Sequence, residues 1–386
     1  MIKRLSFSPL LCLALVSCAL PQWQGPRTDH FDGWYFRNPE PVDKSTTQFL
    51  RWMISRNKPQ WKKIESAPMG APPPERILNQ DLRITFVNHA TVLIQVDGLN
   101  VITDPIWSDH ASPFLWTGPQ RWHPPGIRFE DLPPIDVVMI SHDHYDHLDM
   151  TTLERLKDEH DPRFLAGLGI KKLLRHAGIY KVTEMDWWDS WTLPNGRKIH
   201  AVPARHWSKR NLFGDRETLW LGFVMETADG PIYYSGDTGF GSHFSEIHQR
   251  FGNMRFSILG MGGYQPHWYE HHSHISPAAA VLVHRLLHSR NSIGVHFGTF
   301  RLGDDTQTGP VDDLIIAREA AGLTEWDIWA PAFGGAYHIK PDGHIIVNLP
   351  EGVAPPTAPH LVRPDATSRG YPSALNPVQR ESSEIE

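Results

Sequence analysis

The stretch IDVVMISHDHYDHLD, residues 135–149, decides how this chain is read. Its opening run, IDVVMI, is almost continuously apolar, which marks a short strand buried on both faces. The nine residues after it hold three histidines and three aspartates. Side chains two apart in an extended segment point the same way, so His142 and His144 can grip one cation together. Asp146 and His147 come where the strand gives way to a loop and helix, and suit a second cation nearby. Neutral imidazole and carboxylate are good ligands for zinc and also for manganese or iron.

One loop cannot close two sites, so further ligands are expected at other strand ends. VPARHW places His206 after an apolar strand, YYSGDTG places Asp237 in a glycine-flanked turn, and GVHFGTF places His296 at the end of another strand. Each repeats one design: apolar strand, ligand, small residues.

Composition agrees with a globular, metal-rich protein. The chain has 386 residues, 23 histidines, 15 tryptophans and a formal net charge of -6. An acidic balance gives no reason to expect nucleic acid as a partner. Both cysteines, Cys12 and Cys18, lie near the start, so a structural thiolate zinc site is excluded. Residues 1–18 combine Lys3 and Arg4 with a short apolar core, too short to span a bilayer confidently. Their end, LVSC, resembles a bacterial lipoprotein signal, with cleavage before a lipidated Cys18. The expectation is a protein of the bacterial cell envelope, anchored to the membrane and facing the periplasm.

Residues 19–80 read as an N-terminal arm and linker. Within them, TTQFLRWMISRNKPQWKK starts with helical spacing, Phe49, Leu50, Met53 and Ile54 sharing one face. Residues 51–63 contain five basic side chains and no acidic one. That element suits either anionic lipid or packing on the main domain. Residues 81–350 then interleave strands with helices, the pattern of an α/β layered domain. A hairpin turn is expected at Asp97-Gly98, another around ADG, and a helix capped by Ser276 with Pro277 in its first turn. Gly322 should end a later helix. Residues 351–386 are Pro-rich and apolar-poor, the composition of a disordered tail.

FDGWYFRNP, NHATVLIQVDGLNVITDPIWSDHASP, GPQRW, ISHDHYDHLD, PARHWSKR, YYSGDTGF and HFGTF together resemble the metallo-β-lactamase-fold hydrolases, in the N-acylphosphatidylethanolamine-hydrolysing phospholipase D branch. The resemblance implies an αββα four-layer sandwich with two zinc ions at one edge. It assigns His142, His144 and His206 to the first ion, Asp146, His147 and His296 to the second, and Asp237 to both. It points to His274 as an active-site residue, with Ser273 beside it as a polar contact to substrate. Tyr264 and Trp268 are candidates to line an acyl groove. Asp143 should point away from the metals and is given no role.

Two metals about 3.5–4 Å apart can share a hydroxide and polarise an ester oxygen. The implied activity is hydrolysis of N-acylphosphatidylethanolamine, or a related phospholipid, at a membrane surface. Asp146 would orient the hydroxide, Asp237 set the metal spacing, and His274 steady the phosphate or protonate the leaving oxygen. Two rivals use the same residues: a hydrolase of lactones, β-lactams or other carboxylic esters, and a non-enzymatic metal-binding envelope lipoprotein. Oligomeric state has no signature in the sequence.

Overall fold

The computed structural model describes residues 23–354 apart from 39, 41–44, 115 and 211–213. The expected signal at 1–18 and nearly all of the Pro-rich tail lie outside the described residues.

Two mixed sheets carry the domain. The first has eight strands in the order β15-β14-β1-β2-β3-β4-β5-β6 and the second seven, β13-β12-β11-β10-β9-β8-β7. In the first, β1 (Leu82–Asn88), β2 (Thr91–Val96) and β3 (Leu99–Thr103) form an antiparallel meander. The β2–β3 turn falls at Asp97 and Gly98, both at positive φ, as the Asp-Gly pair requires. From β3 the chain runs parallel through β4 (Val137–Ile140), β5 (Arg163–Gly167) and β6 (Val182–Met185). Helices α2 (Met150–His160) and α3 (Ile170–His176) make the crossovers. In the second sheet β7 (Ser190–Thr192), β8 (Lys198–Val202), β9 (Gly222–Met225) and β10 (Ile232–Tyr234) are antiparallel. Here β10, β11 (Phe256–Gly260), β12 (Asn291–Val295) and β13 (Ile328–Trp329) are parallel. Their crossovers use α4 (His243–Phe251), α6 (Pro277–Leu286) and α7 (Gly309–Ala320), with the short α5 (His267–Glu270) ahead of α6. Strands β14 (Ala336–Ile339) and β15 (Ile345–Asn348) return to the edge of the first sheet.

Side-chain alternation builds the layers. Val137 and Met139 of β4 face the second sheet, in a core with Ile199, Phe223, Tyr233 and Ile258. Val138 and Ile140 face outward, against Leu153 and Leu156 of α2 and Leu174 of α3. A strand sandwiched in this way must be apolar on both sides, which explains the unbroken VVMI run. Phe244 of α4, Ala280 and Val283 of α6 and Leu314 of α7 cover the second sheet. The result is the αββα sandwich. Ser276 caps α6, accepting from the Ala279 amide, with Pro277 in the first turn. Gly322 follows α7 at φ 68.

The arm is built onto the domain. Its helix α1 (Thr46–Ser55) begins with a reciprocal capping box between Ser45 and Gln48. The segment expected to be a linker is no spacer. The Gly70 amide donates to the Gly126 carbonyl at 2.8 Å. A Cβ on Gly70 would stand 2.2 Å from the Gly334 carbonyl oxygen, so only glycine fits there. Prolines in this stretch keep it extended, and the domain then accepts it as a docked strap: Gln95 donates to the Pro74 carbonyl and Asn100 to that of Glu75.

Candidate active site and metal centre

Parallel strands align their C-terminal ends, and the candidate ligands lie just past those ends. His142 follows β4, Asp237 follows β10 and His296 follows β12; His206 follows the antiparallel β8 at the same edge. His142 Nε2 and His206 Nε2 lie 2.8 and 3.3 Å from His144 Nδ1. His147 Nε2 and His296 Nε2 lie 3.2 and 3.3 Å from Asp146 Oδ2. Asp237 Oδ2 stands between the two groups, 3.2 Å from both His147 Nε2 and His296 Nε2. The same oxygen is 4.0 and 3.8 Å from His142 Nε2 and His206 Nε2. Two ligand atoms each about 2.1 Å from one tetrahedral ion are roughly 3.4 Å apart. The spacings match that edge.

Protonation states fit cation binding. The Nδ1 of His206 lies 2.9 Å from the Ser273 carbonyl, to which it donates, leaving Nε2 as a lone pair. The Nδ1 of His147 lies 2.7 Å from Asp104 Oδ2 and donates there. Its Nε2 is buried without a hydrogen-bond partner and faces two carboxylate oxygens. A lone pair aimed at two anionic oxygens is repulsive unless a cation, or a proton, lies between them. Burial, reinforced by neighbouring imidazoles, holds His142 well below its ordinary pKa, and burial does the same to His206. Burial opposes ionisation of Asp146 and Asp237, but the His147 charge outweighs it, and both carboxyls lie well below their usual range. Neutral imidazoles and ionised carboxylates are the ligand forms that divalent metals bind; His142 and His206 already have that form, while the carboxylates raise His147 and His296, whose protons a bound cation would displace. The residues therefore fit divalent cations.

A family model described as the β-lactamase superfamily domain matches residues 99–297. The N-acyl-phosphatidylethanolamine-hydrolyzing phospholipase D 1 of Caenorhabditis elegans is 36% identical over 270 residues, 66% of this chain and 75% of that protein. The mitochondrial phospholipase D of the same description from Saccharomyces cerevisiae is 32% identical over 235 residues, 59% of this chain and 50% of that protein. This chain belongs to the metallo-β-lactamase superfamily, in the branch of these phospholipases. Among solved structures, isothiocyanate hydrolase from Delia radicum gut bacteria shares the fold, with a TM-score of 0.52 at 20% identity over 68% of this chain and 98% of that one. Like its superfamily, the chain is a metal-dependent hydrolase.

Three residues beyond the sequence-derived ligand set organise this metallo-β-lactamase site. Asp104, after β3, is fully buried. Its Oδ2 accepts from Tyr234 at 2.5 Å and from His147, and its Oδ1 accepts from the Ser141 amide at 2.7 Å. It fixes the tautomer of His147 and the direction of the ligand loop. His89, on the β1–β2 turn at φ 44, binds Asp146 Oδ2 through Nε2 at 2.9 Å, while its carbonyl accepts the His296 amide at 2.8 Å. Burial and the His296 charge push its pKa down to about 3, so the ring is neutral. Asn38, in the arm, donates to the His206 carbonyl at 2.8 Å and accepts its amide at 3.1 Å. ITDP repeats the strand-then-carboxylate design and could have revealed Asp104. His89 and Asn38 give no such signal, because their roles depend on contacts distant in sequence. His89→Gln is expected to weaken cation binding at the Asp146 cluster by about 10–100-fold with the fold retained. Competition with a metal-sensitive chelator, alongside circular dichroism, checks this; unchanged affinity refutes the role.

A cavity of about 930 Å³ opens from the ligands towards α1. Asp146, Asp237, His274 and His296 lie at its inner end and Phe49 and Trp52 at its outer end. His274 Nδ1 lies 3.8 Å from Asp237 Oδ2. The three substrate-contact candidates lie elsewhere. Tyr264 is turned into the protein, 2% exposed, with its hydroxyl bonded to Asp313. Ser273 is fully buried, its hydroxyl 3.3 Å from the Glu270 carbonyl; it serves the site through its backbone, as the acceptor for His206. Trp268 packs beside Arg51 outside the cavity lining, and the wall position belongs to its neighbour Tyr269. The one-residue shift follows from α5, whose turn directs successive side chains about 100° apart. Asp143 points away from the ligands, accepting the Lys209 amide at 2.9 Å; burial raises its pKa to about 6.

Proposed function

We propose that the chain is a phosphodiesterase of the phospholipase D type, acting on N-acylphosphatidylethanolamine or a closely related phospholipid with two zinc ions, for which manganese or iron can substitute. The observation that carries this is the position of Asp237 Oδ2, within 3.2–4.0 Å of four histidine nitrogens from both clusters. The names of the nematode and yeast relatives supply the substrate class. Bound divalent ions lower the pKa of a water towards 7 and polarise a phosphoryl oxygen.

The chain's own residues do the rest. Asp146, aimed by His89, orients the attacking water and accepts its hydrogen bond. Water oxygen bonds to phosphorus, the bond from phosphorus to the ethanolamine oxygen breaks, and the proton passes to that oxygen. His274, at the inner end of the cavity, is placed to donate it. Phosphatidic acid and an N-acylethanolamine are the products. The cavity gives acyl chains a wall of Phe49, Trp52, Tyr269 and Leu302. Residues 1–18 extend the reading to a lipoprotein of the bacterial envelope, held on the membrane through Cys18 and facing the periplasm.

Purified protein incubated with mixed phospholipids and metal should release phosphatidic acid and N-acylethanolamine together, read by mass spectrometry. Turnover of lactones or other carboxylic esters with no phosphatidic acid would replace this reading by the ester-hydrolase one.

A further inference from the structure

Residues 261–266, MGGYQP, leave β11 beside the end of β12 and are held at more points than a connection needs. The Met261 amide donates to the Val295 carbonyl at 3.0 Å, which extends the strand pairing. The Tyr264 hydroxyl reaches Asp313 of α7. The remaining pins come from the loop ahead of α7. There the Asp304 amide donates to the Gln265 carbonyl at 3.0 Å, and the two oxygens of Asp305 accept the Gly263 amide and, at 2.9 Å, the Gln265 amide. Asp304 pairs with Arg56, whereas Asp305, 7% exposed, has no ion pair among the described residues. Burial pushes its pKa up to about 7, and the two amide donors and the His296 charge oppose that. A buried carboxylate with no cation against it is costly to keep. What it supplies is geometry: two acceptors at a fixed spacing, which set the peptide planes on either side of Tyr264 at once.

The other side of this segment faces the site. A Cβ on Gly262 would stand 1.7 Å from the His296 carbonyl oxygen. Gly263 has φ 73, and a Cβ there would stand 3.3 Å from His274 Nδ1 and 3.5 Å from His296 Cε1. The Gly263 backbone is therefore a wall against both rings, whose centroids are 5.6 Å apart. The two rings need that wall unequally. His296 is buried, while His274 is only partly buried and fronts the cavity, so less of its surroundings limits its tilt. We propose that Asp305 is a positioning residue for the proton donor: by fixing the Gly263 backbone it holds the His274 ring at the angle from which it protonates the leaving oxygen. Asp305 hydrogen-bonds backbone amides and acts through one glycine. A proton donor works only within hydrogen-bond reach of the oxygen it serves, so a small tilt costs rate in the step that breaks the bond to that oxygen. The inference rests on the phospholipase reading for the role of His274 and deepens it.

Asp305→Asn tests it in the full-length, metal-loaded chain. Asparagine keeps the volume but turns one acceptor into an NH2 group facing an amide N–H, so one of the two pins is lost. Two substrates are compared: N-acylphosphatidylethanolamine, and the phosphatidic acid ester of p-nitrophenol, whose leaving group departs without a proton. On the first, kcat should fall at least tenfold with KM within threefold of parent, and the loss should be at least fivefold smaller on the second. In a His274→Ala background the same substitution should cost less than threefold, because both changes remove one function. Equal losses on the two substrates, or the same loss in both backgrounds, overturn the proposal. So does loss of bound metal from Asp305→Asn, which would assign the segment to His296 instead. Where Asp305→Asn does not fold, as judged by circular dichroism, Gly263→Ala pushes on the same ring and must show the same pattern. A parent chain that cleaves carboxylic esters and no phosphodiester removes the phospholipase reading, and the cycle is then read on alkyl and p-nitrophenyl carboxylic esters with the same criteria.

Discussion

Asp237→Asn is expected to reduce hydrolysis by at least about 10³-fold and bound metal from two ions per chain to one or fewer. A loss of that size is roughly 4 kcal/mol of transition-state stabilisation. The reason is geometric. One carboxylate oxygen, 4% exposed as a residue, faces both histidine groups, and among the described residues it is the anion within 4.0 Å of nitrogens from each. Asparagine keeps the volume and an acceptor but removes the charge, so two cations would lie close together with too little anion between them. Asp104→Asn is the informative contrast. Its carboxylate binds His147 at Nδ1, while His147 Nε2 is the nitrogen that faces Asp237, so it acts through that ring and a loss of about 10–100-fold is expected. Elemental analysis of both variants, with turnover on the same preparations, separates the cases. If Asp237→Asn retains two ions and within tenfold of parent activity, the bridging role fails.

Why the ligand set was readable while its supports were not comes down to range. His142, His144, Asp146 and His147 are close in space because they are close in sequence; two-residue spacing pairs His142 with His144, and the change to a turn redirects Asp146 and His147. His206, Asp237 and His296 are distant along the chain, but each follows a strand end, and aligned strands deliver their ends to one edge. The layered architecture follows from the same apolar runs. What local pattern cannot encode is which loops cross. The carbonyl and ring of His89 link two ligands because the β1–β2 turn meets the loop after β12. Asn38 reaches His206 from 168 positions away because the arm folds back over the domain. The strap at Gly70 reads as a linker for the same reason: proline and small residues describe its backbone, and only packing against Gly126 and Gly334 shows that it is docked. The aromatic residues in and just before α5 failed differently. Tyr264 and Trp268 carry the right chemistry for an acyl wall, but Tyr264 is buried against Asp313, and the turn of the helix gives the place of Trp268 to Tyr269.

Removing divalent cations from the folded chain is expected to lower its melting temperature by roughly 10 °C, and the gap should widen as pH rises. A ligand present at a thousand times its dissociation constant stabilises the native state by about 4 kcal/mol, and two such ions act on a domain of this size. The pH dependence comes from what replaces them. Burial disfavours charge on His296 and His147, but in the metal-free chain the Asp237 and Asp146 carboxylates outweigh it, raising His296 to about 9 and His147 well above its ordinary value. Protons then stand in for the missing cations. A histidine raised in the folded state adds stability that is fully present below its unfolded pKa, about 6.5, and is lost as pH climbs through the folded value. The metal-free chain should thus lose this support between about pH 6.5 and 9. The loaded chain holds its ligands deprotonated and has no such support to lose. Calorimetric melting of chelated and reloaded protein at pH 6, 7.5 and 9 measures the gap directly. A gap that stays constant or narrows towards pH 9 would mean that the carboxylates are not held together by protons on His147 and His296. The same buried pair, 3.2 Å from Asp237, would then need some other source of compensation.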